Sequence, residues 1–298
     1  MDQTLLMEQA LNGVQLGVML FLMATGLTLT FGILNFINLT HWSFYMLGGY
    51  LGIAAYERTG SFIVSLLLGA LGGLGIGLFV EFAAARRLYS RTHLDQVLGT
   101  FGVLLFFNEA VQIVWGRPPL YLPTPAFLED AIEIIPGVFY PAYRFAITLA
   151  GLAIGAALYY LIRYTRTGML IRAGASNREM TGALGVNVRL LFTGVFALGA
   201  TLAAVAGILT APIASVDASI GDSVLILTFV VVVIGGVGSI RGAFAGALLV
   251  GIADTFGRFL LVKWLGPGVG PAFAAMTIYI AMAGILVCRP TGLFAAND

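Results

Sequence analysis

Near its beginning the chain has a long segment without formal charge. Residues 9–56 contain no Asp, Glu, Lys or Arg, and His41 is the one histidine among them. A helix needs about 20 apolar residues to cross the hydrocarbon core of a membrane, so this segment is long enough for two crossings, with a break near residues 35–38. In lipid the backbone must satisfy its own polar groups, and continuous apolar runs favour helices over the alternating strands of a barrel. The segment therefore predicts a membrane-embedded helical chain.

The remaining sequence continues this pattern. Of its 298 residues, 59% are hydrophobic and 10% are charged, whereas soluble domains carry about 25% charged residues. The predicted spans lie near 11–34, 41–57, 61–83, 96–115, 144–162, 191–211, 223–238, 242–261 and 271–288. The span at 41–57 is short and could instead be a re-entrant half-helix. The prediction is one all-α polytopic helix bundle over residues 1–298, with eight to nine transmembrane segments.

Arginines indicate which side of the membrane each loop faces. One cluster holds Arg86, Arg87 and Arg91, and a second lies in the loop near 163–190. Because Lys and Arg are retained in the cytoplasm, both clusters are predicted to be cytoplasmic, which places the N-terminus outside and the C-terminus inside. The proline-rich loop near 116–143 then faces outward and is predicted to be irregular.

Glycines recur at four-residue spacing in two regions. They are Gly69, Gly73 and Gly77, and Gly238, Gly242 and Gly246. Small residues let helix backbones approach closely in lipid, which predicts that both sets pack helices together. The alternative is that these glycines permit gating or a close approach of solute, as in discontinuous transporter helices.

Polar side chains within apolar spans need a reason, because lipid does not solvate them. The candidates to line a solute path are Asn35, Asn38, His41 and Asn108. His41 has the alternative of a packing or capping histidine. Asp254 is predicted to form a local ion pair with Arg258, since residues four apart face each other on a helix.

Several function classes find no support. The sequence contains no HExxH, GxSxG or Walker A motif, so an enzyme is not indicated. Cys288 is the one cysteine and the two histidines lie far apart, so no metal site is predicted, and a net charge of +1 offers no field for nucleic acid. The remaining classes are a transporter driven by a partner ATPase, an ion-coupled secondary transporter and a passive channel.

The loop near 163–190 predicts two short amphipathic helices. Met169, Arg172 and Ala173 share one helix face. Asn177 can cap a second helix and Gly185 can end it. Such helices either dock into a cleft of another protein or rest on lipid headgroups, and spacing alone does not decide between these two.

This loop resembles the coupling loop of the permeases in branched-chain amino acid ABC importers. That family shows a pattern close to T-R-x-G-R-x-x-R-A, then an acidic residue ahead of an L-G-[IV]-N ending. The matching residues are Thr165, Arg166, Gly168, Arg172, Ala173, Glu179, Ala183, Leu184, Gly185, Val186 and Asn187. Met169 stands where the family usually has arginine.

Three further segments resemble the same family. Residues 26–50 resemble its G-L-x-L-x-[YF]-G, I-N-x-x-H and Y-M-L-G-x-Y motifs. Residues 235–243 resemble its G-G-x-G-S-x-x-G-A motif, and 290–294 fit its ending. The resemblance therefore runs through nearly the whole chain, and the shorter length without an extended terminus looks like the livH-type rather than the livM-type partner.

The resemblance implies a non-enzymatic permease subunit in the inner membrane. Its implied partners are a second related permease, two cytosolic ATPase subunits that hold ATP and Mg, and a periplasmic solute-binding protein, with no cofactor in this chain. The residues implied to contact the ATPases are Gly168, Arg172, Ala173, Glu179, Leu184 and Gly185. Thr40, Trp42 and Ser43 depart from the family pattern, so the expected solute is a branched-chain amino acid or, alternatively, urea, a short amide or an aromatic acid.

Overall fold

The computed structural model describes residues 3–294, without the side chains of 222 and 223. The helices are α1 (Gln3–Leu34), α2 (His41–Thr59), α3 (Phe62–Val80), α4 (Arg86–Leu88), α5 (His93–Trp115), α6 (Ala142–Tyr164), α7 (Arg166–Ser176), α8 (Arg178–Ala183), α9 (Val188–Thr210), α10 (Ile220–Gly235) and α11 (Ile240–Cys288). A π-helical turn (Glu81–Ala85) joins α3 to α4, and a short 3-10 turn covers Ala126–Leu128. The strands are β1 (Ala131–Ile135) and β2 (Val138–Pro141).

The described chain is mostly helical, as predicted for a polytopic membrane protein. Six helical stretches in it are long and apolar enough to cross a membrane, which are α1, Phe62–Leu88, α5, α6, α9 and α11. The apolar part of α10, Val224–Gly235, is shorter. α2 is not among the six, although a span was predicted there. Its sequence contains His41, Ser43 and Glu57, which lower its hydropathy.

α11 covers two of the predicted spans. It departs from helical geometry at Gly266, where φ is 79° and ψ is 170°, and prolines follow at 267 and 271. At 1.5 Å per residue, each of the halves 240–265 and 267–288 is long enough to cross a bilayer. The separate spans predicted at 242–261 and 271–288 correspond to these two halves.

The loop near 116–143 is more regular than predicted. Its strands β1 and β2 pair antiparallel, and Gly137 turns the chain between them with φ of 84°. The sequence of β1, Ala-Ile-Glu-Ile-Ile, is rich in β-branched residues, which favour a strand. The expectation of a purely α chain is therefore wrong at this hairpin, where Pro136 lies in the turn and Pro141 is the last residue of β2.

The chain divides into two compact units. Of the described residues, the first holds 3–24, 124–155 and 226–294, and the second holds 25–123 and 156–225. In the second unit, α2 packs against α3, α5 and α9, and 13 of its 19 residues are buried. This unit contains the helix break and the loop near 163–190, so it positions the candidate site.

Glycines form the seam between α3 and α9. A Cβ atom at Gly69, Gly73 or Gly77 would overlap a side chain of α9, those of Ile208, Ala204 and Ala200 respectively. The order of these pairs shows that the two helices run antiparallel.

The second set of glycines is arranged differently. Gly242 and Gly246 lie against Gly235 of α10, but Gly238 lies in the turn before α11 with φ of 87°. Gly238 is therefore not part of a helix face, because it supplies the left-handed backbone of that turn.

Candidate functional site

Residues 35–40 form a non-helical break between α1 and α2. Asn35 adopts a left-handed backbone with φ of 51° and is exposed. Asn38 is buried, and its Oδ1 accepts a hydrogen bond from the Thr40 backbone N–H at 3.0 Å. Asn tolerates the left-handed region better than most residues because its short polar side chain can bond locally. The two asparagines therefore favour the turned backbone of the break.

α5 satisfies the backbone of this break. The Ile37 N–H donates to Gln96 Oε1 at 3.2 Å, and the Leu39 N–H donates to Thr100 Oγ1 at 3.1 Å. The Thr40 hydroxyl donates to the Thr100 carbonyl at 3.0 Å. Buried backbone groups outside regular helices need partners from elsewhere in the protein or from water. The two side chains of α5 meet that requirement.

The start of α2 concentrates buried polar atoms. His41 is fully buried, and its ring fills the space above Gly26, where a Cβ would lie 2.6 Å from His41 Cε1. Among the described residues, no hydrogen-bond partner reaches Asn38 Nδ2, Trp42 Nε1 or Ser43 Oγ. Each such group costs about 1–3 kcal/mol unless something bonds to it. These are therefore the polar atoms at the break to which a solute or a water molecule would bond.

The four residues predicted to line a solute path do not all meet. Asn38 and His41 lie together at the break, whereas Asn35 is exposed at its other end. Asn108 is half-buried two helical turns beyond Thr100 on α5, where its carbonyl accepts from Gln112 Nε2. The sequence prediction missed Gln96 and Thr100. Their signal was two polar side chains four residues apart in an otherwise apolar stretch.

The loop near 163–190 folds into α7 and α8. Side chains cap three successive helices in this region: Thr165 Oγ1 accepts from the Gly168 N–H at 3.1 Å, Asn177 Oδ1 from the Met180 N–H at 2.9 Å, and Asn187 Oδ1 from the Leu190 N–H at 3.1 Å. Each cap satisfies one of the helix's orphan donors and stabilises it by about 1 kcal/mol. We call residues 165–187 the capped segment.

One face of the capped segment is fixed to the chain itself. Gly168 and Gly174 are buried, and a Cβ at Gly168 would overlap the carbonyls of Leu161 and Ile162. Arg172 donates to the Ile162 carbonyl. The guanidinium of Arg172 therefore satisfies one of the last carbonyls of α6.

The other face of the capped segment is exposed. The exposed fractions are 55% for Met169, 60% for Met180 and 78% for Leu184. Ala173, Glu179 and Gly185 are exposed beside them, and Gly185 ends the segment with φ of 86°. Apolar side chains presented on pinned, capped helices are suited to a protein partner or to the membrane interface.

A row of aromatic rings connects the capped segment to the helix break. It runs from Arg178 to His41. The guanidinium of Arg178 lies 4.3 Å from the centroid of the Phe192 ring. Between these ends the centroid distances are 6.3 Å for Phe192–Tyr89, 5.0 Å for Tyr89–Phe36, 6.4 Å for Phe36–Phe196, 5.9 Å for Phe196–Phe44 and 6.3 Å for Phe44–His41. We call these five intermediate rings the aromatic row. All of its members lie in the second unit.

Two carboxylates in membrane-crossing helices are paired with arginines. Asp254 Oδ2 accepts from Arg258 Nε at 2.8 Å, which confirms the predicted ion pair. Glu81 lies at the start of the π-helical turn, is 1% exposed, and accepts from Arg86 at 2.8 Å. In both pairs the arginine offsets the charge of the carboxylate, which would cost free energy if it stood alone within the membrane.

Two of the sequence motifs meet in space within the first unit. The Leu293 N–H donates to the Ile234 carbonyl at 2.8 Å, and the Phe294 N–H donates to the Gly235 carbonyl at 3.1 Å. The closing segment therefore docks on the glycine turn before α11.

A polytopic helical bundle with a polar helix break in its core is the architecture of a membrane transport permease. The chain belongs to the family described as "Branched-chain amino acid transport system / permease component", whose model matches residues 9–287. The resemblance seen in the sequence motifs is thereby confirmed. The members it is similar to are transport permease subunits and not enzymes.

Individual relatives match over almost their full length. The chain is 30% identical to the high-affinity branched-chain amino acid transport system permease protein LivH of Salmonella typhimurium over 294 residues, covering 94% of this chain and 95% of the relative. It is 28% identical to BraD of Pseudomonas aeruginosa, covering 98% and 96%. LivH of Escherichia coli K12 is also 30% identical, covering 94% and 95%. No solved structure matches the chain.

Proposed function

We propose that this chain is the membrane-spanning permease subunit of an ATP-binding cassette importer in the inner membrane that translocates branched-chain amino acids. The observation that carries the proposal is the capped segment, where family-matching residues form two pinned helices with an exposed apolar face. An exposed patch of this kind on an ordered element marks an interaction site. The names of the relatives, which are branched-chain amino acid permeases, support the solute.

The partners follow from this role. A second related permease completes the pathway, two cytosolic ATPases bind ATP and Mg, and a periplasmic binding protein delivers the solute. The N-terminus lies outside and the C-terminus in the cytoplasm, which places the arginine-rich ends of Phe62–Leu88 and α9 on the cytoplasmic side.

Residues of the capped segment have two different tasks. Gly168 and Arg172 hold the segment against the end of α6. Ala173, Glu179, Leu184 and Gly185 lie on the exposed side and contact the ATPases. Of the two anchoring residues, Gly168 is buried, whereas Arg172 is exposed and is tied to α6 by its hydrogen bond.

Movement of the ATPases reaches the solute path through α9 and the aromatic row. A ligand or partner shifts a conformational equilibrium only through contacts that differ between its two states. The capped segment is the contact that ATP binding changes, and its Arg178 lies on Phe192 at the start of α9. At the far end of the row, Phe44 and His41 lie beside the buried polar atoms of Asn38. These atoms bind the solute as it passes.

The same machinery with a more polar solute is a second candidate. Trp42 and Ser43 lie at positions where this chain departs from the family pattern, and both have buried polar atoms without a partner in the described chain. Urea, a short amide or an aromatic acid would supply such partners. An ion-coupled carrier is less well supported, because the buried carboxylates Glu81 and Asp254 are each paired with arginine.

The decisive experiment changes the exposed face of the capped segment. Glu179→Lys, or Gly185→Val, in the complex reconstituted with its partners is expected to leave membrane insertion intact and to uncouple ATP hydrolysis from solute uptake. Arg163→Gln, an exposed change just outside the segment, is the matched control. Normal uptake by both variants would overturn the coupling role, and so would uptake by the purified chain alone in vesicles.

The solute path has its own test. Asn38→Ala and Ser43→Ala are expected to change the ranking of solutes taken up, while Asn108→Ala, which lies apart from the break, leaves that ranking unchanged. The measurement is competition of labelled leucine uptake by valine, urea and phenylacetate. An unchanged ranking in the first two variants contradicts the assignment.

A further inference from the structure

A pocket lined by three arginines lies where the aromatic row meets the capped segment. Its lining residues are Glu81, Arg86, Tyr89, Ser90, Arg178, Val188, Arg189 and Phe192, and its volume is about 330 Å³. That volume holds roughly ten water molecules at about 30 Å³ each. We call it the arginine pocket.

The charges of the arginine pocket do not balance within the described chain. Glu81 is paired with Arg86, whereas Arg178 and Arg189 have no carboxylate within ion-pair distance among residues 3–294. Three guanidinium groups and one carboxylate leave two positive charges. Arg178 is held in place by the ring of Phe192 below it. The pocket therefore presents ordered, uncompensated positive charge.

A neutral donor in the pocket also lacks a partner. The hydroxyl of Tyr89 is buried, and no described residue accepts a hydrogen bond from it. Burial raises the pKa of Tyr89 well above its usual range, so the hydroxyl keeps its proton and stays a donor. A buried donor of this kind costs free energy unless an acceptor occupies the space beside it. An anion in the pocket would accept a hydrogen bond from this donor and would also offset the charge of the two arginines.

From this geometry we propose that the arginine pocket binds a phosphate group. Planar guanidinium groups match the oxygens of a phosphate in a bidentate manner, and the Tyr89 hydroxyl adds a further donor. The shared chemistry is that of an anionic lipid headgroup or a free phosphate ester. The site is separate from the solute path and lies against Arg178, so its occupancy biases the start of the aromatic row.

The position of the pocket favours the lipid. It lies just beyond Leu88, where the stretch Phe62–Leu88 ends, and at the first residues of α9, which is the level at which lipid phosphates are found. An apolar groove of about 640 Å³ runs along α3 and α9 and reaches this end at Leu78, Leu190 and Thr193. Arg86 donates to Thr193 at 3.1 Å, so this arginine contacts both the groove and the pocket. A lipid with its phosphate in the pocket has a place for one acyl chain in the groove.

The test measures binding directly and does not depend on transport. The full-length chain is placed in nanodiscs of phosphatidylcholine with a few phosphatidylglycerol molecules, and the phosphatidylglycerol retained is counted by native mass spectrometry. Each arginine contributes about 1 kcal/mol near a membrane surface, so Arg178→Gln and Arg189→Gln are each expected to lower retention about fivefold. Tyr89→Phe keeps the ring packing and is expected to lower it less. Arg163→Gln is the control and is expected to retain the lipid. Arg189→Lys keeps the charge but loses the bidentate geometry, so its retention is expected to fall between those of the unchanged chain and Arg189→Gln.

A second arm separates the two sources of phosphate. In nanodiscs of phosphatidylcholine alone, inorganic phosphate is titrated against the tyrosine and tryptophan fluorescence of the chain. Retention of phosphatidylglycerol without a response to phosphate supports the lipid headgroup, and a saturable response that Arg189→Gln abolishes supports a free phosphate ester. If Arg178→Gln and Arg189→Gln behave like Arg163→Gln in both experiments, the proposal is wrong. The two arginines would then be assigned to contact with an acidic surface of a partner protein.

Discussion

The helix break and the capped segment both interrupt long helices, but they satisfy their backbones in opposite ways. In the break, Ile37 and Leu39 take their partners from α5, about 60 residues away in sequence. In the capped segment, Thr165, Asn177 and Asn187 bond to residues three positions ahead. The break thus depends on tertiary packing, while the capped segment carries its own order. Loss of an α5 side chain that bonds to the break should therefore act on folding, and loss of an exposed side chain of the capped segment should act on the partner.

The largest effect is expected where α9 meets α2. A Cβ at Gly207 would overlap the backbone carbonyl of Tyr45, and backbone cannot rotate away as a side chain can. Gly207→Val should destabilise the bundle by about 3 kcal/mol or more and abolish uptake. The matched control is Gly194→Val on the same helix, where the structure leaves the space open. Thermal unfolding of the detergent-purified chain measures both. Equal melting temperatures for the two variants would show that the α2–α9 contact is looser than described.

The next largest effect is expected from the side chains that hold the break. Gln96→Leu removes the acceptor for the Ile37 N–H and should destabilise the chain by about 2 kcal/mol. Gln112→Leu is the control, because the Gln112 amide donates only to the carbonyl of Asn108 on its own helix. Hydrogen exchange at residues 35–40 should accelerate in the first variant and not in the second. Unchanged exchange in Gln96→Leu would mean that the break does not depend on α5.

A smaller effect is expected where both regions use left-handed backbone. Asn35 has φ of 51° and Gly185 has φ of 86°. Alanine in this region costs about 1 kcal/mol, so Asn35→Ala and Gly185→Ala should each lower stability by that amount, while Asn35→Gly should not lower it. Denaturant unfolding followed by tryptophan fluorescence measures the three variants. A loss in Asn35→Gly as large as in Asn35→Ala would show that the asparagine side chain, not the backbone, is what matters.

The smallest effect on stability, with a clear effect on function, is expected at Leu184. Its side chain is 78% exposed, so Leu184→Ala should change the free energy of unfolding by less than about 0.5 kcal/mol. If the ATPase covers this side chain, uptake per ATP hydrolysed should fall several-fold. The ratio of labelled solute to released phosphate in proteoliposomes gives the result. An unchanged ratio would remove Leu184 from the interface.

The features predictable from the sequence were those that depend on near neighbours. The cap at Asn177 and the Asp254–Arg258 pair involve residues three or four apart, and the apolar runs alone locate α5, α6 and α9. The links from Gln96 to Ile37 and from Tyr89 to Phe36 were not predictable, because each joins residues more than 50 positions apart. Gly238 was misassigned because it lies four residues before Gly242, which is the spacing of a helix face. The spacing alone does not show that Gly238 lies in the turn that precedes the helix.

α9 contacts α3 and α2 partly through small residues and partly through the larger side chains of Ile208 and Phe196. Ala200 and Ala204 meet Gly77 and Gly73 of α3, and Gly207 meets the backbone of α2. Surfaces built of methyl groups and bare backbone have no long side chains to withdraw from sockets before one helix moves past another. Shear, the small sliding of packed helices, therefore requires little repacking where these small residues meet, and the repacking that it does require falls on Ile208 and Phe196. A displacement of the first turn of α9 would be carried along the helix to Phe196, whose ring lies against Phe36 and Phe44 beside the break.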